Sequence, residues 1–348
     1  MLNQKRKNLA LFLKGDLSMT NNSSENLIFS KLSGRNFYVI DDVYENSNKI
    51  SAHHFIDTDV YVDIKVIKAK NTDTETWRSY IVQPPDSNIF RWPIDIVEVK
   101  DTIFAEKGNI GIVFLKRGFP ALKQLKELIY DDSQLDWTNS NTQLLIKNFL
   151  ASLSLLEKQG YSFISFNIEK IFYDPTNYKL FFDFSPSTLK LTSINIEKKY
   201  SFLDNDISID FIPPWVDYDK INKVNKKFGY YSVASLLFRL MIGRMPYQGS
   251  LLDGCGQIMN NLMDTDPKQH FDRMREYLQT PIFIFDKNDT SNSIGEFGDE
   301  KKYIERWSGL ADELKIMFDS TFNDNKSKEE PSLLFSINQW IEAVNNCF

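Results

Sequence analysis

The hydrophobic period changes once along this chain, and that change bounds what it can fold into. Between Leu27 and Lys116, apolar residues alternate or run in short blocks bounded by turn residues, which is the signal of strands. The blocks are FYVIDDVYE (37–45), ISAHHFID (50–57), VYVDIKVIK (60–68), IDIVEV (94–99) and IGIVFLK (110–116). One helix interrupts them, from Thr74 to Val82, stopped by Pro84 and Pro85. Past Gly118 the spacing turns helical: Leu145, Phe149, Leu153 and Leu156 share one face of a helix that Gly160 ends. The pattern predicts an α+β chain, a small sheet carrying one helix followed by a mainly helical half.

Within that second half, Lys170–Tyr173 and Tyr178–Phe182 read as two short strands joined by the turn Asp174-Pro175-Thr176-Asn177. Residues 230–242 (YYSVASLLFRLMI) are apolar nearly all round and predict a buried helix stopped by Gly243 and Pro246. Amphipathic helices close the chain around Leu310–Phe318 and Ile337–Val344. Residues 286–302, rich in Asn, Asp, Ser and Gly, read as a mobile polar surface insertion, and residues 1–26 as a flexible tail.

Composition removes several classes of function. Lys+Arg total 41 against Asp+Glu 47, and the resulting net charge of −6 repels phosphate backbones and anionic membranes, so no nucleic-acid or membrane partner is expected. Two cysteines, Cys255 and Cys347, and three histidines supply neither a disulfide framework nor a four-ligand zinc site. The basic start (Lys5, Arg6, Lys7) leads into an apolar run, Leu9–Leu13, that Lys14 and Asp16 close too early for a signal peptide. No run approaches the ~20 apolar residues of a spanning helix. A soluble, reducing, cytoplasmic setting is expected.

The first residue with chemical promise is Lys65, inside the apolar strand Val62-Asp63-Ile64-Lys65-Val66, where an ammonium must meet an anion or escape to solvent. Glu75, in the short helix, is the nearest carboxylate that could swing under the sheet to pair with it. A sheet lysine paired with a helix glutamate is how protein kinases hold a nucleotide's phosphates. With the order of elements, the chain resembles the eukaryotic-type protein kinases from about residue 27 to 348. It is also similar to bacterial kinase-like domains in running from its first helix into Pro84-Pro85-Asp86 and then Trp92-Pro93. Other matching pieces are an extended hinge at Phe114–Gly118, the helix ending at Gly160, and Asp183-Phe184-Ser185 in the place of Asp-Phe-Gly. Ile212-Pro213-Pro214 and Ile242-Gly243-Arg244 match the end of an activation segment and its following helix. The resemblance implies a two-lobed fold, an antiparallel-sheet N-lobe over 27–117 and a helical C-lobe over 118–348.

The departures from that family matter more than the matches. Aligned through Gly160-Tyr161 and Ile171-Phe172 without a gap, the catalytic pattern H-R-D-x-x-x-x-N falls on Phe163, Ile164, Ser165 and, for its Asn, Lys170. Ser165 lacks the charge and basicity with which the family aspartate orients a hydroxyl, and Lys170 puts a cation where the family holds magnesium. Asn46-Ser47-Asn48-Lys49 stands where a glycine-rich loop would cover phosphates, leaving only Lys49 as a point charge. Trp215 replaces a structural glutamate, Gly229 an aspartate, and no arginine remains near Glu330-Pro331-Ser332 or Leu334-Phe335-Ser336 to serve as an ion-pair partner.

The implied nucleotide contacts are Lys65, Glu75 and Asp183, with Asp183 also the metal candidate and ATP with magnesium the conditional ligand; no catalytic residue is assigned. Each has a plainer reading: Lys65 as a snorkelling strand lysine, Glu75 as a first-turn carboxylate, Asp183 as a turn cap. Arg239 needs an internal polar partner. Phe163, Phe166 and Phe184 are candidates to fill a nucleotide cleft. The expected function is that of a pseudokinase, a scaffold or allosteric regulator acting through a protein partner. An atypical ATP-dependent transferase that borrows Glu169, or a nucleotide sensor without turnover, are the alternatives.

Overall fold

The computed structural model describes residues 27–30, 37–44, 49–54, 56–57, 59–67, 74–85, 89–98, 109–116, 122–130, 135–163, 166–183, 189–191, 211, 213–215, 226–250, 281–295, 300–323 and 334–348. The expected tail at 1–26, Ser165, Phe184, the segment 45–48 and Cys255 lie outside these residues. The chain divides into two units, Met1–Pro120 and Ala121–Phe348, with α+β structure.

In the first unit, β1 (Leu27–Ser30), β2 (Phe37–Tyr44), β3 (Lys49–His54) and β4 (Tyr61–Ile67) follow one another as an antiparallel meander. Helix α1 (Thr74–Val82) and the short β5 (Phe90–Arg91) then lead to β6 (Pro93–Glu98) and β7 (Ile110–Leu115). The sheet order is β1-β2-β3-β4-β7-β6, and β1 pairs with β6 to close a barrel. Alternation along the pleat puts Ile50 and Ala52 of β3, Val62 and Ile64 of β4, Val97 and Val113 into one buried cluster. It sends Lys49, Ser51, Asp63 and Lys65 to the opposite face. Helix α1 buries Trp77 and Tyr80, and the Trp92 indole donates to the Tyr80 carbonyl at 2.8 Å. That bond ties the segment after the Pro84-Pro85 stop back to the helix.

The second unit begins with β8 (Lys123–Gln124), α2 (Leu125–Tyr130) and α3 (Ser140–Lys158). Asn139 caps α3 by accepting from the Asn141 amide, and Gly160, at φ 84°, takes the left-handed turn past its end. The predicted face of α3, Leu145, Phe149, Leu153 and Leu156, is fully buried. Strands β9 (Tyr161–Phe163), β10 (Ile171–Tyr173), β11 (Leu180–Asp183) and β12 (Leu189–Leu191) follow, with β10 pairing β8 and β11, and β9 pairing β12. Helix α4 (Lys226–Ile242) is buried nearly all round, and its Arg239 donates to the Ile129 carbonyl at 2.9 Å, the internal partner its position required. Helices α5 (Lys301–Gly309), α6 (Asp312–Phe322) and α7 (Ile337–Cys347) complete the unit. A capping box between Ser336 and Gln339 starts α7.

One expectation is corrected here. The polar stretch 286–302 is not a loose surface insertion in its described part: Asp286, Asn292 and Glu300 are buried. Asn292 Nδ2 donates to the carbonyls of Tyr247 (3.0 Å) and Ile282 (2.7 Å), Glu300 pairs with Arg244 at 3.1 Å, and Lys301 opens α5. Asn292 and Glu300 are partners of buried groups, while Lys287, Asn288, Thr290 and Ser291 stay exposed, a distinction composition does not carry. Among the described residues, no helix is long and apolar enough to cross a membrane.

Candidate functional site

Lys65 lies exposed on β4, directly opposite Lys49 of β3 on one side and Ile112 of β7 on the other. Two lysines facing each other across a ladder repel. Two residues back on the same strand face, Asp63, only 5 % exposed, forms an ion pair with Lys49 at 3.2 Å and a second, shorter one with Arg91 of β5. Glu75 sits in the first turn of α1, its side chain largely exposed, and pairs with Arg78 one turn on at 2.5 Å.

Arg91 is held from three sides. Besides Asp63, its Nε donates to the Leu115 carbonyl at 3.1 Å, and its guanidinium lies 5.4 Å over the Phe114 ring. Phe114 is the cross-strand partner of Asp63, so carboxylate and ring are brought together by the β4–β7 register itself. Lys116, just past β7, adds a bond to Ser51 Oγ at 2.8 Å, and Ser51 is the partner of Asp63 on the other side. Within the barrel, the Tyr38 hydroxyl donates to Asp95; burial first, then the Asp95 charge, holds that phenol protonated well above its ordinary range.

In the second unit the relevant residues gather at the open end of the β10–β11 hairpin. Ile171 faces Phe182, so Lys170 and Asp183, each the next residue outward, stand at the same end. Both are half-buried. The 3₁₀ turn before β10, Ile168–Lys170, is capped by the Asn167 side chain, and its Glu169 pairs with Lys126 at 2.6 Å. Glu169 is therefore engaged with α2, and its side chain remains largely exposed.

The donor set does not fit a magnesium ion. Octahedral magnesium takes hard oxygen ligands, and here the residue beside Asp183 at the hairpin end is an ammonium. Among the described residues no three His, Cys, Asp or Glu side chains come together to hold a metal.

Two of the aromatic residues expected to fill a cleft belong to the core of the second unit instead. Phe166, 1 % exposed, lies 5.4 Å from Phe149 and 6.1 Å from Phe211, and Phe163 lies 4.9 Å from Phe166 and 5.8 Å from Phe182. Trp215 meets Tyr231 edge to face at 5.1 Å. Burial also pushes the Tyr161 hydroxyl up to about 12.

No family model and no curated protein matches the chain. The site is therefore read from its own geometry. That geometry adds Asp63 and Arg91 to the sequence candidates. Asp63 could have been singled out, because a carboxylate inside an apolar strand demands a partner as strongly as Lys65 does. Its partner, 28 positions away in a two-residue strand, follows no local spacing rule.

Proposed function

We propose that this chain is a degenerate member of the protein kinase-like superfamily, with a two-lobed kinase-like fold, that transfers no phosphate and acts as a scaffold or allosteric regulator through a protein partner. The observation that carries the reading is the end of the β10–β11 hairpin, where Lys170 stands with Asp183 in place of a second oxygen donor. Support also comes from the described residues of the first unit, an antiparallel sheet bearing Lys65 on β4 with a helix, α1, bearing Glu75, and from the largely helical described part of the second unit. Ser165 in the catalytic register removes the base, and its neighbour Phe166 is committed to the core. The setting is a reducing cytoplasm, in keeping with the free thiol of Cys347.

Two measurements test the proposal together: label transfer from γ-labelled magnesium ATP to protein or nucleotide acceptors, and a melting scan with and without magnesium ATP. The expected result is neither transfer nor shift, whereas a true binder at a hundredfold excess over Kd would gain ~2.7 kcal/mol. Transfer that disappears in Asp183→Ala would overturn the proposal and restore an enzyme. A shift without transfer, lost in Lys65→Ala or Asp183→Ala, would instead make the chain a nucleotide sensor.

A further inference from the structure

Asp63 has no role in making the barrel core, since it points away from the cluster formed by Val62 and Ile64. Position 63 is buried and could hold an apolar residue, and buried ion pairs are often no better for stability than well-packed apolar replacements. The Asp63–Arg91 pair therefore calls for another explanation.

Its geometry suggests one. A carboxylate takes one N–H of Arg91, the Leu115 carbonyl at the end of β7 takes another, and the Phe114 ring takes the flat face. Those are the three contacts by which a planar, nitrogen-rich group is recognised: an anion, an in-plane acceptor and an aromatic surface. Asp63 Oδ1 is buried and has no hydrogen-bond partner among the described residues, so the set offers more acceptor capacity than Arg91 uses. Lys65 stands two residues along the same face, where an anion attached to such a group would be met.

We propose that Asp63, Phe114 and the Leu115 carbonyl form a receptor for a planar amino-bearing ring, and that Arg91 occupies it from within the chain, excluding the aminopurine end of a nucleotide. The inference rests on reading the Lys65 face as the remnant of a nucleotide site, and it gives that reading a mechanism: the face is closed by the chain's own guanidinium.

The test uses the full chain carrying Arg91→Ala, melted with and without adenosine and, separately, methylguanidinium. The unsubstituted chain is expected to respond to neither. The variant should melt lower on its own and gain a saturable rise of roughly 3 °C or more with either probe. Adding Asp63→Asn should remove the methylguanidinium response. If Arg91→Ala does not fold, Arg91→Lys keeps a cation for Asp63 without the planar fork and is held to the same adenosine criterion. A folded variant that responds to neither probe, or an unsubstituted chain that responds equally, overturns the proposal. Adenosine carries no phosphate, so the two readings fail separately. A variant deaf to both probes removes the plug and leaves the non-catalytic reading standing, whereas label transfer by the unsubstituted chain removes that reading whatever the probes do.

Discussion

A Cβ atom on Gly249 would lie 1.9 Å from the backbone carbonyl oxygen of Asn292 and 2.7 Å from its side-chain oxygen. Asn292 cannot retreat cheaply, because its Nδ2 is spent on the carbonyls of Tyr247 and Ile282. Gly249→Ala should therefore force the two backbones apart and cost about 1–3 kcal/mol, seen as a lower urea midpoint at unchanged slope. A loss under about 0.5 kcal/mol would mean that the 281–295 segment yields, contrary to its buried anchors.

Arg244 and Glu300 form a largely buried ion pair in the second unit, with Glu300 also accepting from the Gly295 amide at 2.7 Å. Removing Glu300 leaves the largely buried Arg244 charge with neutral partners, the Gln248 carbonyl and the Tyr303 ring. Glu300→Gln should cost about 3 kcal/mol, while Arg244→Met combined with Glu300→Leu should recover most of it. A double-mutant cycle by chemical denaturation decides the matter: additive losses would show that the pair is not coupled.

What the sequence made legible follows a physical line. Elements that bury one face announce themselves by period, so the strands from β2 to β4, the α3 face and the all-apolar α4 were placed from their residues. Strand β1 was not, because four residues, LIFS, are too few to show alternation and its role in closing the barrel is set by pairing with β2 and β6. In the 286–302 stretch composition misleads, because Asn292 and Glu300 look the same whether they face water or satisfy buried carbonyls and an arginine. In the site, Lys170 and Asp183 could be brought together from register alone, since a hairpin converts sequence distance into opposition. Arg91 could not, because no spacing rule ties β5 to β4.

Tyr161 makes pH a probe of the second unit. Burial raises its hydroxyl from 10 to about 12, so between those values the folded chain holds a proton that the unfolded chain has released. The sign follows: the contribution of Tyr161 to stability is whole below pH 10 and is lost as pH rises to about 12. Phenolate absorbance should show a group of late-titrating tyrosines that includes Tyr38 and Tyr173, and Tyr161→Phe should remove one of them. If the variant's alkaline titration and melting profile match those of the unsubstituted chain, the hydroxyl is not buried as described.

Lys170 is the residue at which weak metal binding can be reversed by substitution. Beside Asp183 its ammonium opposes any divalent ion. At roughly 6 Å and a water-like dielectric, the repulsion between a double and a single positive charge is about 1.4 kcal/mol, a factor of ten in affinity. Lys170→Asn removes that repulsion and supplies a carbonyl oxygen, so manganese(II) binding, followed by its spin-resonance signal, should tighten about tenfold or more. Lys170→Met removes the charge without the oxygen and should give only part of the gain, while Asp183→Ala in the Lys170→Asn background should abolish it. Label transfer should stay absent throughout, because neither substitution supplies a base at Ser165. Equal manganese affinity in the unsubstituted chain and Lys170→Asn would mean that this hairpin end is an ordinary turn and not a metal site overwritten by a cation.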